Sequence, residues 1–164
     1  MASRINTDRP DSTSRIDDGK EEYSVRCHCG RVRGKFRCNP HKVVALDCNC
    51  SDCYMRQNAH VVVPSCDFEL DMAEESLEDA TILYEWGTKT AKRYFCKTCG
   101  ILPWYRPRSN PDGVGLTLYC IDWGADDDVK PKPEVEIQTF NGVHWEESFA
   151  QSKISELSKS KPSS

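Results

Sequence analysis

The clearest pattern in the chain is an alternation of small or apolar residues with basic residues in RVRGKFRC, at residues 31–38. Successive side chains of a β-strand point to opposite faces, so one face of this segment is apolar and the other carries four cations. The pattern predicts a half-buried strand.

Further segments are rich in β-branched and aromatic residues and are bounded by Pro, Gly, Asn or Asp, which is typical of strands. They are KVVALDC, HVVVP, TILYEW, KRYFC, GVGLTLYC and EVEIQTF. The best helical pattern is WEESFAQSKISELSK near the end, SDCYMRQN is long enough for one helical turn, and SNPDG is typical of a turn. The spacing predicts a mainly β protein of antiparallel sheets with a short C-terminal helix.

The composition suits one folded domain, because 164 residues with 38% hydrophobic and 29% charged residues can bury a core. The polar residues 1–22 predict a disordered tail, residues 23–150 the domain, and residues 151–164 a second polar tail. The first tail lacks the apolar stretch of a secretory signal or a membrane span. We therefore expect a cytoplasmic or nuclear protein with no membrane partner. The net charge of −4 argues against a nucleic-acid partner.

Seven of the ten cysteines form three clusters, which in a reducing compartment indicate metal binding or catalysis rather than disulfides. In CKTCG, Cys96 and Cys99 have the CxxC spacing of half a zinc site. In CHCG, Cys27 and Cys29 share a face if that segment is a strand. Four thiolates complete a tetrahedral zinc site with no vacancy, so we expect this site to be structural.

The remaining cluster, CNCSDC, offers only three thiols, from Cys48, Cys50 and Cys53. The i, i+2 and i, i+3 spacings bring the three together if a strand runs into a helical turn. Three thiolates on zinc leave a fourth position for an incoming group, as in catalytic zinc sites. A closed structural site, completed by His60, Cys66 or Cys120, is the alternative.

These motifs, in this order, resemble those of the glutathione-dependent formaldehyde-activating enzyme family. The matching elements are CHCG, CNCSDC and FCKTCG. The segments YRPRSNPDG, YCID and FNGVHWEES are similar to the branch that includes centromere protein V. The resemblance extends over about residues 23–155.

The resemblance implies an Mss4-like fold held together by two zinc ions. It assigns a structural ion to Cys27, Cys29, Cys96 and Cys99, and a catalytic ion to Cys48, Cys50 and Cys53. It also implies a carbon–sulfur lyase activity like that of S-(hydroxymethyl)glutathione synthase, with a small thiol such as glutathione as substrate. The alternative is a zinc-stabilised interaction module without activity, with a chromatin or cytoskeletal partner.

An enzyme that binds glutathione needs cations for its two carboxylates. Arg106 and Arg108 in YRPRSNP are the candidates, against the alternative of two solvated loop arginines. Trp104 directly follows the second zinc motif and is a candidate for the wall of the site. The sequence leaves the oligomeric state open.

Overall fold

The computed structural model describes residues 18–72, 75–124 and 130–159. Within these ranges the strands are β1 Glu21–Arg26, β2 Arg33–Cys38, β3 Lys42–Cys48, β4 Ala59–Pro64, β5 Phe68–Leu70, β6 Thr81–Tyr84, β7 Lys92–Cys96, β8 Trp104–Arg106, β9 Gly113–Thr117, β10 Ile121–Asp122 and β11 Glu134–Phe140. The helices are α1 Ser51–Arg56, α2 Leu77–Ala80 and α3 Trp145–Gln151. Single 3-10 turns cover Ser65–Asp67, Leu118–Cys120, Gly142–His144 and Ile154–Glu156.

The strands form two sheets, with the order β10-β1-β2-β5 in the smaller and β11-β3-β4-β9-β8-β7-β6 in the larger. The mainly β prediction is confirmed, as is the short C-terminal helix. The larger sheet is mixed rather than antiparallel, however, because β11 pairs with β3 in the parallel direction. Side-chain alternation is the same in both pairings, so the sequence pattern does not reveal strand direction.

The parallel pair matters because parallel strands end at the same edge of a sheet. Cys48 at the end of β3 is in register with Phe140 at the end of β11. The segments that follow these two residues therefore leave the sheet side by side. Asn49 N–H donates to the Phe140 carbonyl at 3.2 Å, which continues the pairing into the loops.

The first strand lies earlier in the chain than the sequence pattern indicated. Strand β1 begins at Glu21, so two residues assigned to the polar tail belong to the smaller sheet. Tyr23 and Val25 point into the core and are 2% and 0% exposed. Residues 1–17 of the predicted tail lie outside the described residues.

Buried side chains form two clusters in the described ranges. The larger one draws on both sheets and includes Val25, Phe36, Trp104 and Leu116. The smaller one lies at the β3–β11 edge and combines two of the clustered cysteines with apolar residues. Its buried members are Leu46, Cys48, Cys53, Val62, Phe140 and Ile154.

The C-terminal segment packs onto the domain instead of leaving it after residue 150. The amide of Asn110, which is fully buried, donates to the Ile154 carbonyl at 2.9 Å and to Ser158 Oγ at 3.0 Å. A Cβ added at Gly113 would lie 2.5 Å from Ser158 Cβ, so a glycine is needed for this close approach. Only Ile154 and Leu157 are apolar in this polar stretch, which is why the pattern indicated a tail.

None of the helices in the described ranges is long and apolar enough to cross a membrane.

Candidate metal centres and active site

The first cysteine group joins the loop after β1 to the end of β7. The sulfur atoms of Cys27, Cys29, Cys96 and Cys99 all lie within 4.8 Å of one another. Two of the measured separations, Cys27 to Cys29 and Cys29 to Cys96, are 3.6 Å. A tetrahedral zinc ion with Zn–S bonds of about 2.3 Å has sulfur atoms roughly 3.8 Å apart. The group therefore fits a four-thiolate zinc ion.

Two similar turns build this group. The N–H of Gly30 donates to the Cys27 carbonyl at 3.0 Å, and that of Gly100 donates to the Cys96 carbonyl at 2.9 Å. Both glycines have positive φ, at 77° and 73°, a conformation that favours residues without Cβ. The i, i+2 spacing predicted that Cys27 and Cys29 share the face of a strand. They meet instead through a turn after β1.

Two thiols of this group differ in the direction of their pKa shifts. Burial raises the pKa of the Cys27 thiol to about 12. The pKa of Cys99 is about 6, because the backbone N–H groups of Cys29 and Ile101 outweigh the opposing effect of desolvation. A cation at the centre of the group would favour the thiolate form of all four side chains.

The second group consists of Cys48, Cys50 and Cys53, whose sulfur atoms also lie within 4.8 Å of one another. Cys48 ends β3, Cys50 caps the N-terminus of α1, and Cys53 lies in the first turn of α1. The N–H of Cys53 donates to Cys50 Sγ at 3.5 Å. Hydrogen bonds from the Cys48 and Cys53 thiols hold the pKa of Cys50 well below its usual range. The predicted strand-to-helix junction has brought the three thiols together.

No fourth His, Cys, Asp or Glu joins these three thiols among the described residues. His60 lines the same cavity, but its Nδ1 lies 3.4 Å from the Asn58 carbonyl. Cys66 is exposed, and the Cys120 thiol lies 3.9 Å from the Leu102 carbonyl. Cys66 and Cys120 therefore lie elsewhere, and His60 shares the cavity without coming within 4.8 Å of all three sulfur atoms.

A loop after β11 packs directly on the three-thiol group. Asn49 fixes it from both sides, since its Oδ1 accepts from Val143 N–H and its Nδ2 donates to Asn141 Oδ1, both at 3.1 Å. A Cβ added at Gly142 would lie 2.8 Å from Cys50 Cβ and closer still to Cys48 Sγ. The backbone at Gly142 is thus a wall of the site, and only glycine leaves the thiols their positions.

A network of charged side chains, formed by Asp52, Arg56 and Arg93, holds α1 in place. Asp52 Oδ2 accepts from Arg93 Nε at 2.5 Å and from Arg56 Nη2 at 2.7 Å. Desolvation works against the charged form, yet these two arginines hold the pKa of Asp52 below its usual value. Arg93 is 6% exposed, and its guanidinium lies 5.7 Å from the centre of the Trp86 ring. Sequence reasoning missed this network, although the i, i+4 spacing of Asp52 and Arg56 on a helix signals half of it.

The three thiols line a cavity of about 280 Å³, near the lower end of the usual size for small-molecule sites. Its apolar wall comes from Leu46, Phe140 and Ile154, and the cations Arg93 and Arg108 also line it. Aromatic and polar side chains complete it, among them His60, Trp86, Tyr105, Ser109, Trp145 and Glu146. The cavity therefore combines three sulfur donors, an apolar surface and two cations.

Of the three predicted substrate contacts, the structure places one at the cavity. The Arg108 guanidinium stacks 3.6 Å from the centre of the Trp145 ring and pairs with Glu146 at 2.8 Å. Arg106 instead donates to Ser65 Oγ at 2.5 Å and to the Gly113 carbonyl at 3.3 Å.

Trp104 is the third predicted contact. It is 3% exposed and packs in the main core, with its ring centre 5.2 Å from that of Phe68. It does not line the cavity that contains the three thiols. Trp104 follows the CKTCG motif closely in sequence because it begins β8, a strand whose side chains alternate between the two faces of the sheet.

Comparison with known proteins agrees with this geometry. The sequence profile of the glutathione-dependent formaldehyde-activating enzyme family matches residues 22–140, which is well over half of the chain. The chain belongs to this family. The profile spans both cysteine groups, and it ends at the last residue of β11.

A crystal structure of a Rhodobacter sphaeroides protein from a structural genomics programme is similar to this family member. The two chains are 28% identical, with a TM-score of 0.52, over 67% of this chain and 97% of the bacterial one. The similarity supports a common fold. It carries no information on the reaction.

Proposed function

We propose that this family member is a zinc-dependent carbon–sulfur lyase that adds a small thiol, such as glutathione, to formaldehyde or a related small carbonyl compound. The observation that carries the proposal is the three-thiol group, which lines a cavity without a fourth protein ligand in the described ranges. A closed four-thiolate ion offers no coordination position to a group in a neighbouring cavity, whereas an ion held by three thiolates does.

The two groups would hold two zinc ions with different tasks. Cys27, Cys29, Cys96 and Cys99 fit a structural ion, because four thiolates fill its coordination sphere. Cys48, Cys50 and Cys53 fit a catalytic ion with one position free. Bound there, zinc would lower the pKa of an incoming thiol and polarise a carbonyl group.

The residues of the chain would bind and orient the substrate. Arg108 and Arg93 line the cavity and can donate hydrogen bonds to a carboxylate, which suits a thiol that carries negative charge. Arg108 is the more available of the two, because its partner Glu146 is 78% exposed and its pairing is weak. The apolar wall would exclude water from the reacting sulfur and carbonyl carbon.

We also propose that the chain is closest to the branch of the family that includes centromere protein V, and that it has an Mss4-like fold. The segments YRPRSNPDG, YCID and FNGVHWEES support the branch. Their residues occupy defined places around the site: Arg108 stacks on Trp145, and Gly142 packs on the three thiols.

Cobalt substitution with a thiol titration tests the proposal. Glutathione should change the ligand-field spectrum of the Cys48/Cys50/Cys53 ion only, because a closed four-thiolate ion must lose a protein ligand before it can accept an outside one. The loaded protein should also accelerate the formation of the thiol adduct from formaldehyde and glutathione above the uncatalysed rate.

The Cys66→Ser variant is the matched control, since Cys66 is an exposed thiol outside both groups. It should retain the spectral response and the rate. A spectrum that millimolar thiol leaves unchanged, together with no acceleration, would refute the enzyme. A zinc-stabilised interaction module with a chromatin or cytoskeletal partner would then be the better hypothesis.

A further inference from the structure

Tyr105 on β8 is a buried phenol that lines the same cavity as the three thiols. Its ring lies against the backbone of β9, where a Cβ added at Gly115 would come within 2.7 Å of it. The ring of His60 meets it at 5.3 Å between centres in an edge-to-face arrangement. The aromatic ring is therefore fixed on two sides.

The hydroxyl of Tyr105 has no hydrogen-bond partner among the described residues. It is not sealed in the protein either, because Asn58 Nδ2 is the one side-chain nitrogen or oxygen in those ranges that is both enclosed and unpartnered. Since Tyr105 is only 5% exposed, its hydroxyl reaches solvent through the cavity. The hydroxyl is therefore available to a water molecule or to a polar group of a ligand that enters the cavity.

We propose that Tyr105 is a catalytic residue whose hydroxyl donates a hydrogen bond, and then its proton, to the carbonyl oxygen of the small carbonyl substrate. This inference rests on the proposed function. As the carbon–sulfur bond forms, the π-electron pair of the carbonyl moves to its oxygen, which takes the proton from Tyr105. The phenolate is reprotonated from water in the cavity. The proton lost earlier by the thiol goes to solvent, so thiol and aldehyde yield the hydroxymethyl adduct with no further reactant.

The other polar groups around Tyr105 are less suited to this task. Burial lowers the pKa of His60 to about 4, so the ring is neutral, and its Nδ1 is the atom nearest the Asn58 carbonyl. A neutral ring that donates from Nδ1 presents only an acceptor at Nε2. Arg93 is permanently charged and cannot transfer a proton at neutral pH.

Tyr105 itself stays protonated at neutral pH, because burial raises its pKa well above the usual value. The guanidinium of Arg93 lies 6.0 Å from the ring centre and would stabilise the transient phenolate. The Tyr105 hydroxyl thus gives up its proton only to a strongly basic oxygen, such as the one that forms from the substrate carbonyl. The Arg93 guanidinium would offset the negative charge that remains on Tyr105.

The Tyr105→Phe variant tests the assignment, because it keeps the ring on Gly115 and removes only the hydroxyl. We expect kcat for adduct formation to fall about 100-fold, the usual scale for a positioned acid or oxyanion donor. Zinc content, melting temperature and KM for the thiol should stay close to those of the wild type. The control is Tyr119→Phe, since Tyr119 is 77% exposed and lies outside this cavity.

A binding measurement separates this inference from the proposed reaction. Calorimetric titration with the equilibrium adduct of formaldehyde and glutathione should give at least tenfold weaker binding to Tyr105→Phe than to the wild type. If the wild type shows no catalysis but the variant binds the adduct more weakly, the reaction is wrong and the contact between Tyr105 and the adduct oxygen stands. Equal rates and equal binding in the two proteins would overturn the inference, as would a wild type that neither catalyses nor binds.

Discussion

Alanine at position 142 should damage one metal centre and spare the other. Gly142 has no positive φ that only glycine tolerates, so the backbone accepts alanine and the effect comes from the added methyl group alone. That group would lie 2.8 Å from Cys50 Cβ, whereas two carbon atoms in contact are normally 3.5–4.0 Å apart. Relief of the overlap requires a shift of roughly 0.7 Å or more.

Such a shift is large for a metal site, in which bond lengths are expected to hold to about 0.2 Å. Inserting a methyl group into a packed core costs about 1–3 kcal/mol. If the strain disappears when the ion leaves, the affinity of the three-thiol centre for zinc should fall about 5- to 150-fold, at 1.4 kcal/mol for each factor of ten. The four-thiolate centre is formed by other loops and should keep its affinity.

Chelator competition, followed by elemental analysis, measures the two affinities in one experiment. The Gly142→Ala protein should lose one zinc ion at chelator concentrations at which the wild type retains two. Val143→Ala is the control, since Val143 is the next residue in the same loop and is 65% exposed. Unchanged retention of both ions in Gly142→Ala would show that the loop does not shape the centre.

The two centres should also differ in their importance for folding: Cys99→Ser should cost most of the folded fraction, because a structural zinc ion is folding free energy, and Cys53→Ser should give a folded protein by circular dichroism. Equal collapse of both variants would make both centres structural. Asp52→Asn should lower the free energy of unfolding in urea by about 3 kcal/mol, since it leaves the buried Arg93 and the partly buried Arg56 without their carboxylate. The control Asp71→Asn affects an exposed pair at 3.6 Å and should cost less than about 1 kcal/mol. Burial holds the pKa of His60 at about 4, below the value of about 6.5 in an unfolded chain, so the unfolded state binds more protons in this interval. Its contribution to stability is complete above pH 6.5 and is lost as the pH falls towards 4, so between pH 7 and 5.5 the wild type should lose roughly 1 kcal/mol more than His60→Gln.

Local spacing predicted the cysteine groups well, because each group is built from short turns. CxxC followed by glycine, and CxCxxC at a strand-to-helix junction, fix the sulfur atoms within a few residues of chain. The pairing of the two halves of the four-thiol group was also predictable, since four thiolates complete a tetrahedral site. The strands followed from their alternation, although β1 was partly hidden in a charged segment.

The remainder of the site depends on long-range contacts that no local pattern carries. Arg93 and Tyr105 lie on strands whose sequences predict a strand and carry no sign of a functional site. Their spatial neighbours depend on the order of the strands in the sheet. The parallel pairing of β11 with β3 brings Gly142 to the thiols, although almost a hundred residues separate them in the sequence. Arg106 and Arg108 are two residues apart and looked equivalent, yet only Arg108 lies at the cavity.

The C-terminal segment sets the cavity apart from the cysteine groups, because it lies outside the residues that the family profile matches. The family profile ends at residue 140, but Gly142, Trp145 and Ile154 all line the cavity. The sulfur donors thus lie within the matched residues, whereas part of the cavity wall lies beyond them. Substitutions in this later segment therefore change the surface that a ligand meets and leave every cysteine of the two groups in place.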